Sequence, residues 1–546
     1  MKKRILMLLF ALMLFSCASA QESETIILLG ESITVNAEPV STDSSSPVHL
    51  IRIAETHEDV PEELKTLENN VVVITQAGSY RISGTAADTQ ILVRAGSEDK
   101  VRLILDGADI TCRTAPAIAI ESACDARIAG EYGVTIELAD GSENIITGSH
   151  TKAPDDDERT LEYDGAIGAQ VSLGFEGTGR LTVDADNEGI EVASGHMTIN
   201  GGVFHISACD DPLNVSEDGI GTLTINDGYV YSAVKPLEGG EGDGIDSNGY
   251  IVFNGGTIIN LAHPASADSG IDSDMGSSIN GGLIVGAGNM YDPIDESSAQ
   301  LFMMLEFAEK TEKLIVVTDE QDHPVFAYDF PHDYTYIAFS TPELAEGTYR
   351  VYLGGEIAGE QQDGLYTSIT AYTPGTRMQH GEGTAQTRRG GMTPPDADSS
   401  PAIPRSNAYR DSAGMDEAIA YEQAMEKLDL NEVLKDADLN EVLKDLDLND
   451  LLSAYDVTDL LTDEQLDEHF PGIDIDIATS YARGFGGNMN RGKIGDHDLG
   501  RGGFGGGTRN GRGGGPRSLE SSADVATGDF VLSKDSTGFT NVQAMQ

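Results

Sequence analysis

The sequence predicts an all-β protein whose central part is a right-handed parallel β-helix, a solenoid of stacked coils. Three observations lead to this fold class: an internal repeat that returns every 26 to 28 residues, glycine and asparagine at the end of short β-type runs, and no helical pattern between residues 71 and 290. We expect a small β cap domain after the solenoid, and then a low-complexity tail with short acidic helices.

The N-terminal segment carries the signals of an exported protein. Residues 1–4 are positively charged, residues 5–15 are an apolar run too short to cross a bilayer, and residues 18–20 are small enough for cleavage. Residues 1–20 therefore predict a signal peptide, with the mature protein extracellular or at the cell surface. The residues up to Cys17 also resemble a lipobox, so Cys17 is a candidate for lipidation and both routes stay open. No later run is long and apolar enough to form a transmembrane segment.

The charge of the chain restricts its partners. Acidic residues number 91 and basic residues 34, which gives a formal charge of −57. Such a field repels nucleic acid and anionic membranes, so neither is an expected partner. It also repels acidic polysaccharides unless a divalent cation bridges the two surfaces. Solubility alone is the other reading of this charge.

Composition divides the rest of the chain into zones. They are a leader and N-terminal cap (21–70), the β-helix (71–290), the β cap domain (291–385), a linker (386–412), an acidic helical segment (413–470) and a Gly/Arg-rich tail expected to be disordered (471–546). Within the acidic segment, residues 430–438 repeat as 439–447, which predicts short amphipathic helices that could dock a protein partner.

One repeated motif decides the fold. Thr198–Gly202 (Thr-Ile-Asn-Gly-Gly) returns three times in closely related form, beginning at Thr224, Val252 and Ser278. A unit of this length cannot bury its own apolar residues, but stacked coils align them into one continuous core. The asparagines would then form a hydrogen-bonded ladder: Asn200, Asn226, Asn254 and Asn280. A β-sandwich or a propeller is the competing fold, but sandwich strands rarely keep such a motif in register and propeller blades are longer.

A second marker runs in phase with the first and carries the acidic residues. Polar residues stand two positions before a core Ile or Leu (Glu188, Asp211, Asp243, Ser269) and one position after it (Glu191, Asn214, Asp246, Asp272). Neighbouring coils lie about 4.8 Å apart, so the carboxylates would form a column along one edge. Their repulsion, about 1 kcal/mol per pair in water, favours a bound cation, and calcium accepts such oxygen ligands. The predicted ligands are Asp210, Asp211, Asp243, Asp246, Asp272 and Asp274. The alternative is that these residues only stabilise turns.

Contacts with sugar are predicted beside this column. The chain has no Trp, so we expect polar contacts together with tyrosine rings rather than a flat aromatic platform. The candidate substrate-binding residues are Glu188, Glu191, Asn214, Tyr229 and Tyr231. Lys235 is the single lysine of the acidic coils and a weak candidate for the base of a polysaccharide lyase. A lone lysine in a loop is more often a solvated charge, and we expect no catalysis.

Several of these segments resemble one family. Val101–Gly107, Val134–Gly141, Asp164–Ile167, the Thr-Ile-Asn-Gly-Gly series and Tyr349–Gly355 resemble the secreted bacterial carbohydrate-binding parallel β-helix proteins, related in fold to polysaccharide lyases. The resemblance covers about residues 71–375. It implies a calcium-binding β-helix that binds cellulose and pectic acid polymers. Pro212 replaces the Gly of the neighbouring coils, and Asn214 and Ser269 replace acidic residues.

The sequence thus predicts calcium-assisted, non-catalytic binding of polysaccharide at the cell surface or outside the cell. Two alternatives stay open: a β-helical polysaccharide lyase that uses Lys235, and a surface adhesin or structural protein that binds its partner through residues 413–470.

Overall fold

A computed structural model describes most of the chain up to residue 381 and a short C-terminal segment. The described residues are 24–54, 64, 67–124, 129–151, 163–295, 298–311, 314–381, 527–534 and 536–545. Every regular element among them is a β-strand, so the all-β class is confirmed. Apart from residues 218–220, they belong to one compact unit. The predicted signal peptide with Cys17, the linker (386–412) and the acidic helical segment (413–470) lie outside the described residues.

Twenty-six strands, numbered in chain order, build the N-terminal part and the coils. They are β1 (Thr25–Leu29), β2 (Thr34–Val35), β3 (Glu38–Pro39), β4 (Val48–Ala54), β5 (Glu68–Ile74), β6 (Gly78–Ala86), β7 (Thr89–Arg94), β8 (Val101–Thr111), β9 (Ile118–Ser122), β10 (Val134–Leu138), β11 (Glu143–Gly148), β12 (Gly165–Ala169), β13 (Leu173–Gly177), β14 (Arg180–Ala185), β15 (Glu188–Val192), β16 (Met197–Ile199), β17 (Val203–Ala208), β18 (Leu213–Val215), β19 (Thr222–Ile225), β20 (Tyr229–Val234), β21 (Asp246–Ser247), β22 (Tyr250–Phe253), β23 (Thr257–Leu261), β24 (Asp272–Ser273), β25 (Gly276–Ile279) and β26 (Leu283–Gly288).

From β5 to β26 the chain passes repeatedly through three stacks of parallel strands. The first stack contains β5, β7, β9, β12, β15, β18, β21 and β24. The second contains β6, β8, β10, β13, β16, β19, β22 and β25. The third contains the second halves of β6 and β8, followed by β11, β14, β17, β20, β23 and β26. We call one passage through the three stacks a coil. The direction in which the coils wind stays a prediction.

The repeat fixes which residues fill the interior of the coils. Ile167, Ile190 and Leu213 are register partners on β12, β15 and β18, and all three are fully buried. Such rows of branched side chains form one continuous core. The second glycine of each repeated motif is required where backbones approach closely: Gly256 has a φ of 86°, and a Cβ there would lie 2.7 Å from the carbonyl oxygen of Gly228.

The coils are closed at the N-terminal end by residues before β5. Strand β1 pairs in parallel with β6, and β4 pairs antiparallel with β5. A small antiparallel β2–β3 ribbon joins the edge of β1. These strands cover the backbone groups of the first coil that would otherwise form an open sheet edge.

Eight further strands form a second β region, which we call the cap. They are β27 (Phe302–Phe307), β28 (Leu314–Thr318), β29 (Pro324–Asp329), β30 (Tyr336–Ser340), β31 (Gly347–Gln362), β32 (Leu365–Gln379), β33 (Phe530–Leu532) and β34 (Gly538–Ala544). Strand β30 pairs antiparallel with β26 and with β27, so the third stack continues into the cap. The cap core also packs on the outer face of that stack, against Ile259, Leu261, Val285 and Ala287.

The prediction that residues 471–546 are disordered throughout is wrong at the C-terminal end. Residues 527–534 and 536–545 contain β33 and β34, which pair with the cap. The local pattern explains why, since Phe530 and Leu532 are buried while Val531 between them is 57% exposed. The preceding Gly/Arg-rich run dominates the composition of that zone and conceals this short alternating strand.

Candidate functional site

The acidic markers of the sequence lie along one side of the first stack, which we call the acidic edge (Glu188, Glu191, Asp211, Asn214, Asp243, Asp246, Asp272). Four of them share one register position on successive strands, in the order Glu191, Asn214, Asp246 and Asp272. Each follows a core residue such as Ile190 or Leu213, and successive side chains of a strand point to opposite faces. The row therefore faces away from the interior of the coils.

The second row of the acidic edge links each coil to the next. The carboxylate of Asp211 accepts a hydrogen bond of 2.7 Å from the backbone N–H of Asp243. The carboxylate of Asp243 accepts one of 2.5 Å from the backbone N–H of Ser269. These bonds join residues 32 and 26 positions apart, so they connect neighbouring coils and are not local turn contacts. Each bond uses one oxygen of a carboxylate that has two.

Three carboxylates converge where the two rows meet, and we call them the aspartate cluster (Asp243, Asp246, Asp272). Each offers one oxygen, and these oxygens all lie within 4.8 Å of one another. Burial raises the pKa of Asp243 well above its usual range, with further contributions from Asp272 and Asp211. Burial also raises the pKa of Asp272 to about 6, followed by the charge of Asp274. The three carboxylates therefore repel one another when all are ionised, and a bound cation would reduce this repulsion.

A second group of oxygens lies along the acidic edge toward the N-terminus, and we call it the glutamate pocket (Glu188, Glu191, Asn214). Asn214 Nδ2 donates a hydrogen bond of 2.8 Å to Glu188 Oε1. Glu188 Oε2 and Asn214 Oδ1 are buried and accept no hydrogen bond from the described residues. Unsatisfied buried oxygens are uncommon in folded proteins, and a bound cation or water normally explains them.

The two carboxyl groups of the glutamate pocket have perturbed acidity. Burial raises the pKa of Glu188 well above its usual range, and the nearby charges of Glu191 and Asp211 add to the shift. Burial also raises the pKa of Glu191 to about 7, although the backbone N–H of Asp164 donates a hydrogen bond of 2.9 Å to it. Both groups would become more acidic next to a cation.

The other predicted ligands lie at different distances from the aspartate cluster. Asp211 is joined to it by the bond to Asp243. Asp274 is exposed and acts on Asp272 through its charge. Asp210 lies in the turn before β18, where its backbone N–H donates to the carbonyl of Asn187, and it is not a member of the cluster.

Two acids that the sequence analysis did not select also belong to this region. Asp268 Oδ2 accepts a hydrogen bond of 2.8 Å from the backbone N–H of Gly242. Asp292 Oδ2 accepts one of 3.2 Å from the backbone N–H of Ser273, next to Asp272. Asp268 directly precedes Ser269 of the repeated marker, so it could have been found from the sequence, whereas Asp292 follows the last coil and has no repeat to mark it.

The four asparagines of the repeated motif lie on another edge of the coils and form a continuous ladder. Their amide nitrogens donate to the preceding amide oxygens at 2.7 Å (Asn226 to Asn200), 2.8 Å (Asn254 to Asn226) and 2.9 Å (Asn280 to Asn254). Asn200 in turn donates to the hydroxyl of Tyr132, which donates to Glu176 at 2.8 Å. The ladder thus fixes the register of successive coils.

Tyr229 and Tyr231 lie beneath the cap rather than beside the acidic edge. The hydroxyl of Tyr229 donates a hydrogen bond of 2.6 Å to Asp363, which lies in the turn between β31 and β32. The ring of His205 stacks on both tyrosines, at 5.7 and 5.8 Å between centroids. Both rings are partly buried against the cap core. Both residues thus contribute to packing between the coils and the cap, and their contact with sugar stays a prediction.

Lys235 is engaged on the third stack. Its ammonium group donates a hydrogen bond of 2.6 Å to the carbonyl oxygen of Ala185 and forms an ion pair with Asp184. Both contacts are made with strand β14 of the third stack, and they occupy the Nζ atom. The described geometry gives this residue a structural role.

Comparison with known proteins gives a match for the segment of the chain that forms the coils. Residues 68–300 match a family model described as carbohydrate-binding domain-containing protein. The match covers less than half of the chain, and on it we call this segment, which is similar to a carbohydrate-binding family, the carbohydrate-binding domain. The carbohydrate-binding domain so defined contains all three stacks and the whole acidic edge.

Two relatives are similar to parts of the chain. A carbohydrate-binding domain-containing protein of Acetivibrio thermocellus is 36% identical over 138 residues, which are 25% of this chain and 45% of that protein. The chain thus spans less than half of the length of that relative. A solved polysaccharide lyase-like protein from C. thermocellum, a gadolinium derivative, has 25% identity and a TM-score of 0.32, over 48% of this chain and 94% of its own. Within the described residues, no helix has the length and apolar character needed to span a membrane.

Proposed function

We propose that the carbohydrate-binding domain binds polysaccharide without catalysis, with the help of calcium held on the acidic edge, at the cell surface or outside the cell. The match of residues 68–300 to a carbohydrate-binding family model supports the class of ligand. The export signals of residues 1–20 support the location. The observation that carries the role of calcium is the convergence of Asp243, Asp246 and Asp272.

The geometry of the aspartate cluster suits calcium. Calcium binds oxygen ligands at about 2.3–2.6 Å, so two of its ligands lie at most about 5 Å apart. The three carboxylate oxygens fall within 4.8 Å of one another, so one ion can reach all of them. Because calcium takes roughly six to eight oxygens in loose geometry, three carboxylates leave positions for water or for a ligand from outside. Zinc, by contrast, prefers nitrogen and sulfur ligands.

The glutamate pocket offers oxygens to a further ion of the same kind. Glu188 is 3% exposed and Asn214 is 1% exposed, and each has an oxygen that no described group satisfies. A carboxylate and an amide oxygen are ligands that calcium accepts and that most other metals accept less readily. Ions at both places would partly neutralise the acidic edge along its length.

Bound calcium would turn a repulsive surface into an adhesive one. With a formal charge of −57, the chain repels an acidic polymer in the absence of a cation. An ion with open coordination positions can bind protein carboxylates on one side and sugar carboxylates or hydroxyls on the other. The polymers that fit this chemistry best are acidic pectin-like chains, and cellulose is the neutral alternative implied by the family resemblance.

The direction in which the coils wind belongs to the same proposal. We infer that they form a right-handed parallel β-helix, because nearly all connections between parallel strands of one sheet are right-handed. The parallel pairing of three stacks supports this inference.

The test is isothermal titration of the exported chain with polygalacturonate and with soluble cello-oligosaccharides, in calcium and in EDTA. We expect binding in calcium and its loss in EDTA. Asp246→Asn should weaken calcium-dependent binding roughly tenfold or more, because it removes one ligand charge without deleting the side chain.

The matched control is Asp227→Asn, which removes the same charge from an exposed turn on the asparagine edge and should bind as the wild type does. Equal binding in calcium and EDTA would contradict the role of calcium. Absence of binding to every polysaccharide in both conditions would contradict the function itself.

A further inference from the structure

The cap contains two strands that lie far from its other strands in the sequence. Strand β32 ends at Gln379, and the next described strand, β33, begins at Phe530. His380 and Thr527 nevertheless form an antiparallel bridge, with N–H to carbonyl distances of 2.7 and 3.0 Å. The described residues up to Gly381 and from Thr527 therefore meet at one point of the cap.

The C-terminal segment (527–545, without residue 535) fills a position between other strands of the cap. Strand β33 pairs antiparallel with the first residues of β31. Strand β34 pairs in parallel with β27 on one side and antiparallel with the end of β32 on the other. Without this segment, β27 and β32 would lose the strand that connects them in the sheet. The segment thus occupies a groove whose walls are β27, β31 and β32.

The groove is apolar where the segment enters it. Phe530 and Leu532 of β33 are 0% and 1% exposed, and Phe539 and Val542 of β34 are 2% and 1% exposed. The rings of Phe530 and Phe539 meet edge to face at 5.2 Å between centroids. The ring of His380 packs against both, at 4.7 and 5.0 Å. Side chains inserted in this way are the usual anchors of a bound strand.

Charged groups at the mouth of the groove hold the beginning of the segment. Arg377 Nη2 donates to Asp529 Oδ1 at 2.5 Å and to the carbonyl oxygen of Gly528 at 3.1 Å. Arg350 Nε lies 3.7 Å from the same carboxylate of Asp529. Two arginines of the cap thus face one acid of the segment, and this pairing specifies its orientation.

We propose that the cap is a strand-binding domain whose ligand is the C-terminal segment of this chain, held by these contacts alone and not by the covalent connection through residues 382–526. The apolar anchors, the paired backbone and the arginine contacts are those of a peptide that adds a strand to an open sheet edge. A chain cut between residues 390 and 514 therefore stays assembled, and the emptied groove accepts the same segment from solution.

This arrangement has a consequence for the low-complexity sequence. Residues 382–526 include the acidic repeats at 430–447 and the Gly/Arg-rich run that follows them. The described residues on either side of them meet at one point of the cap, so the proposal predicts that cleavage, extension or modification within them leaves the cap sheet complete. The carbohydrate-binding domain would remain joined to both halves of a cleaved chain.

The test uses the full exported chain with a recognition site for a specific protease inserted in the Gly-rich run at residues 502–507 and an affinity tag after residue 546. After complete cleavage, capture on the tag in native buffer should retain the large fragment with the small one, in equal amounts. Addition of urea should release the large fragment from the captured small one. Separation of the two fragments in native buffer at micromolar concentration would overturn the proposal.

Matched variants of the same strand give the second measurement. Phe530→Ser should release the large fragment after cleavage, because it removes a fully buried anchor, whereas Val531→Ser should retain it, because Val531 is 57% exposed. Equal behaviour of the two variants would contradict the groove as described. A labelled peptide of residues 527–545, added in excess to the cleaved wild type, should exchange into the groove and raise its fluorescence anisotropy. Failure to exchange under mild urea, followed by dilution, would also count against the proposal.

Discussion

Asp246 and Asp272 are register partners on β21 and β24, and their carboxylates belong to one cluster with Asp243 within 4.8 Å. Strand spacing in a sheet, about 4.8 Å, brings equivalent residues of successive coils this close whenever the repeat keeps its phase. The repeat thus creates the site, since one acidic position in a coil becomes a column of acids in the stack. The same stacking that stabilises the core places unfavourable charge on its outer edge.

The first prediction concerns the metal-free protein. Asp246→Asn removes one of three mutually repelling carboxylates, so we expect the free energy of unfolding in EDTA at about pH 8 to rise by about 1 kcal/mol. In calcium the variant should be less stable than the wild type, because it has lost a ligand of the ion. Thermal unfolding in both conditions measures the change. The exposed control Asp227→Asn should show no such reversal, and a variant less stable than the wild type in EDTA would argue against repulsion in the cluster.

The second prediction concerns pH. The pKa of Asp272 is raised to about 6 and that of Glu191 to about 7, so the folded protein binds more protons than the unfolded chain between about pH 4 and pH 7. Stability contributed by the protonated groups is present at low pH and is lost as pH rises through these values. For Asp272 alone, the free energy of unfolding should be lower above its raised pKa than at about pH 4 by on the order of 3 kcal/mol.

The EDTA-treated protein should therefore be more stable near pH 5 than near pH 8, and calcium should remove most of the difference at pH 8. Urea unfolding at the two pH values, with and without calcium, tests this. A metal-free protein that becomes more stable from pH 5 to pH 8 would mean that these carboxyl groups ionise without cost.

The third prediction concerns the glutamate pocket. Glu188→Gln keeps an oxygen for the hydrogen bond from Asn214 but removes the buried charge. We expect higher stability in EDTA at about pH 8 and the loss of one bound calcium per chain, measured by elemental analysis after dialysis. Glu143→Gln, a change at an exposed position of β11, is the control and should keep the wild-type calcium content. An unchanged content in Glu188→Gln would exclude an ion from this pocket.

The fourth prediction concerns the asparagine ladder. Asn226→Ala removes two of the three ladder bonds, the one that Asn226 donates to Asn200 and the one that it accepts from Asn254. Asn280→Ala removes one bond at the end of the ladder. Since a hydrogen bond contributes about 1 kcal/mol, the middle substitution should lower the free energy of unfolding by about twice as much as the terminal one. Equal effects in urea unfolding would mean that the two ladder bonds of Asn226 contribute no more stability than the single bond of Asn280.

Much of the coil region could be predicted because its information is periodic. The motif at Thr198–Gly202 and its returns place one asparagine per coil, and the marker before Ile190, Leu213 and Ile245 places an acid in three successive coils. Once parallel stacking is assumed, the neighbours of every repeated residue follow from its position alone. The hydrogen bonds between Asn200, Asn226 and Asn254 and the register of Asp246 with Asp272 are the geometric result.

Residues outside the repeat could not be placed in this way. The sequence gives no sign that Asp363, far along the chain, covers Tyr229 or that Asp292 reaches the backbone beside Asp272. Such contacts depend on how the cap packs on the third stack, which no local pattern encodes. The strand at Phe530 is short and follows a long Gly/Arg-rich run, so average composition conceals it.

The most direct test of the account is a calcium titration of the EDTA-stripped chain, followed by isothermal calorimetry at about pH 6, close to the raised pKa of Asp272, for the wild type, Asp246→Asn and Asp227→Asn. The account predicts saturable binding with release of protons in the wild type and in Asp227→Asn, because the raised pKa values of Asp243 and Asp272 must fall when the ion binds. It predicts roughly tenfold weaker binding in Asp246→Asn. Absence of saturable calcium binding in the wild type, or equal affinity in all three proteins, would contradict it.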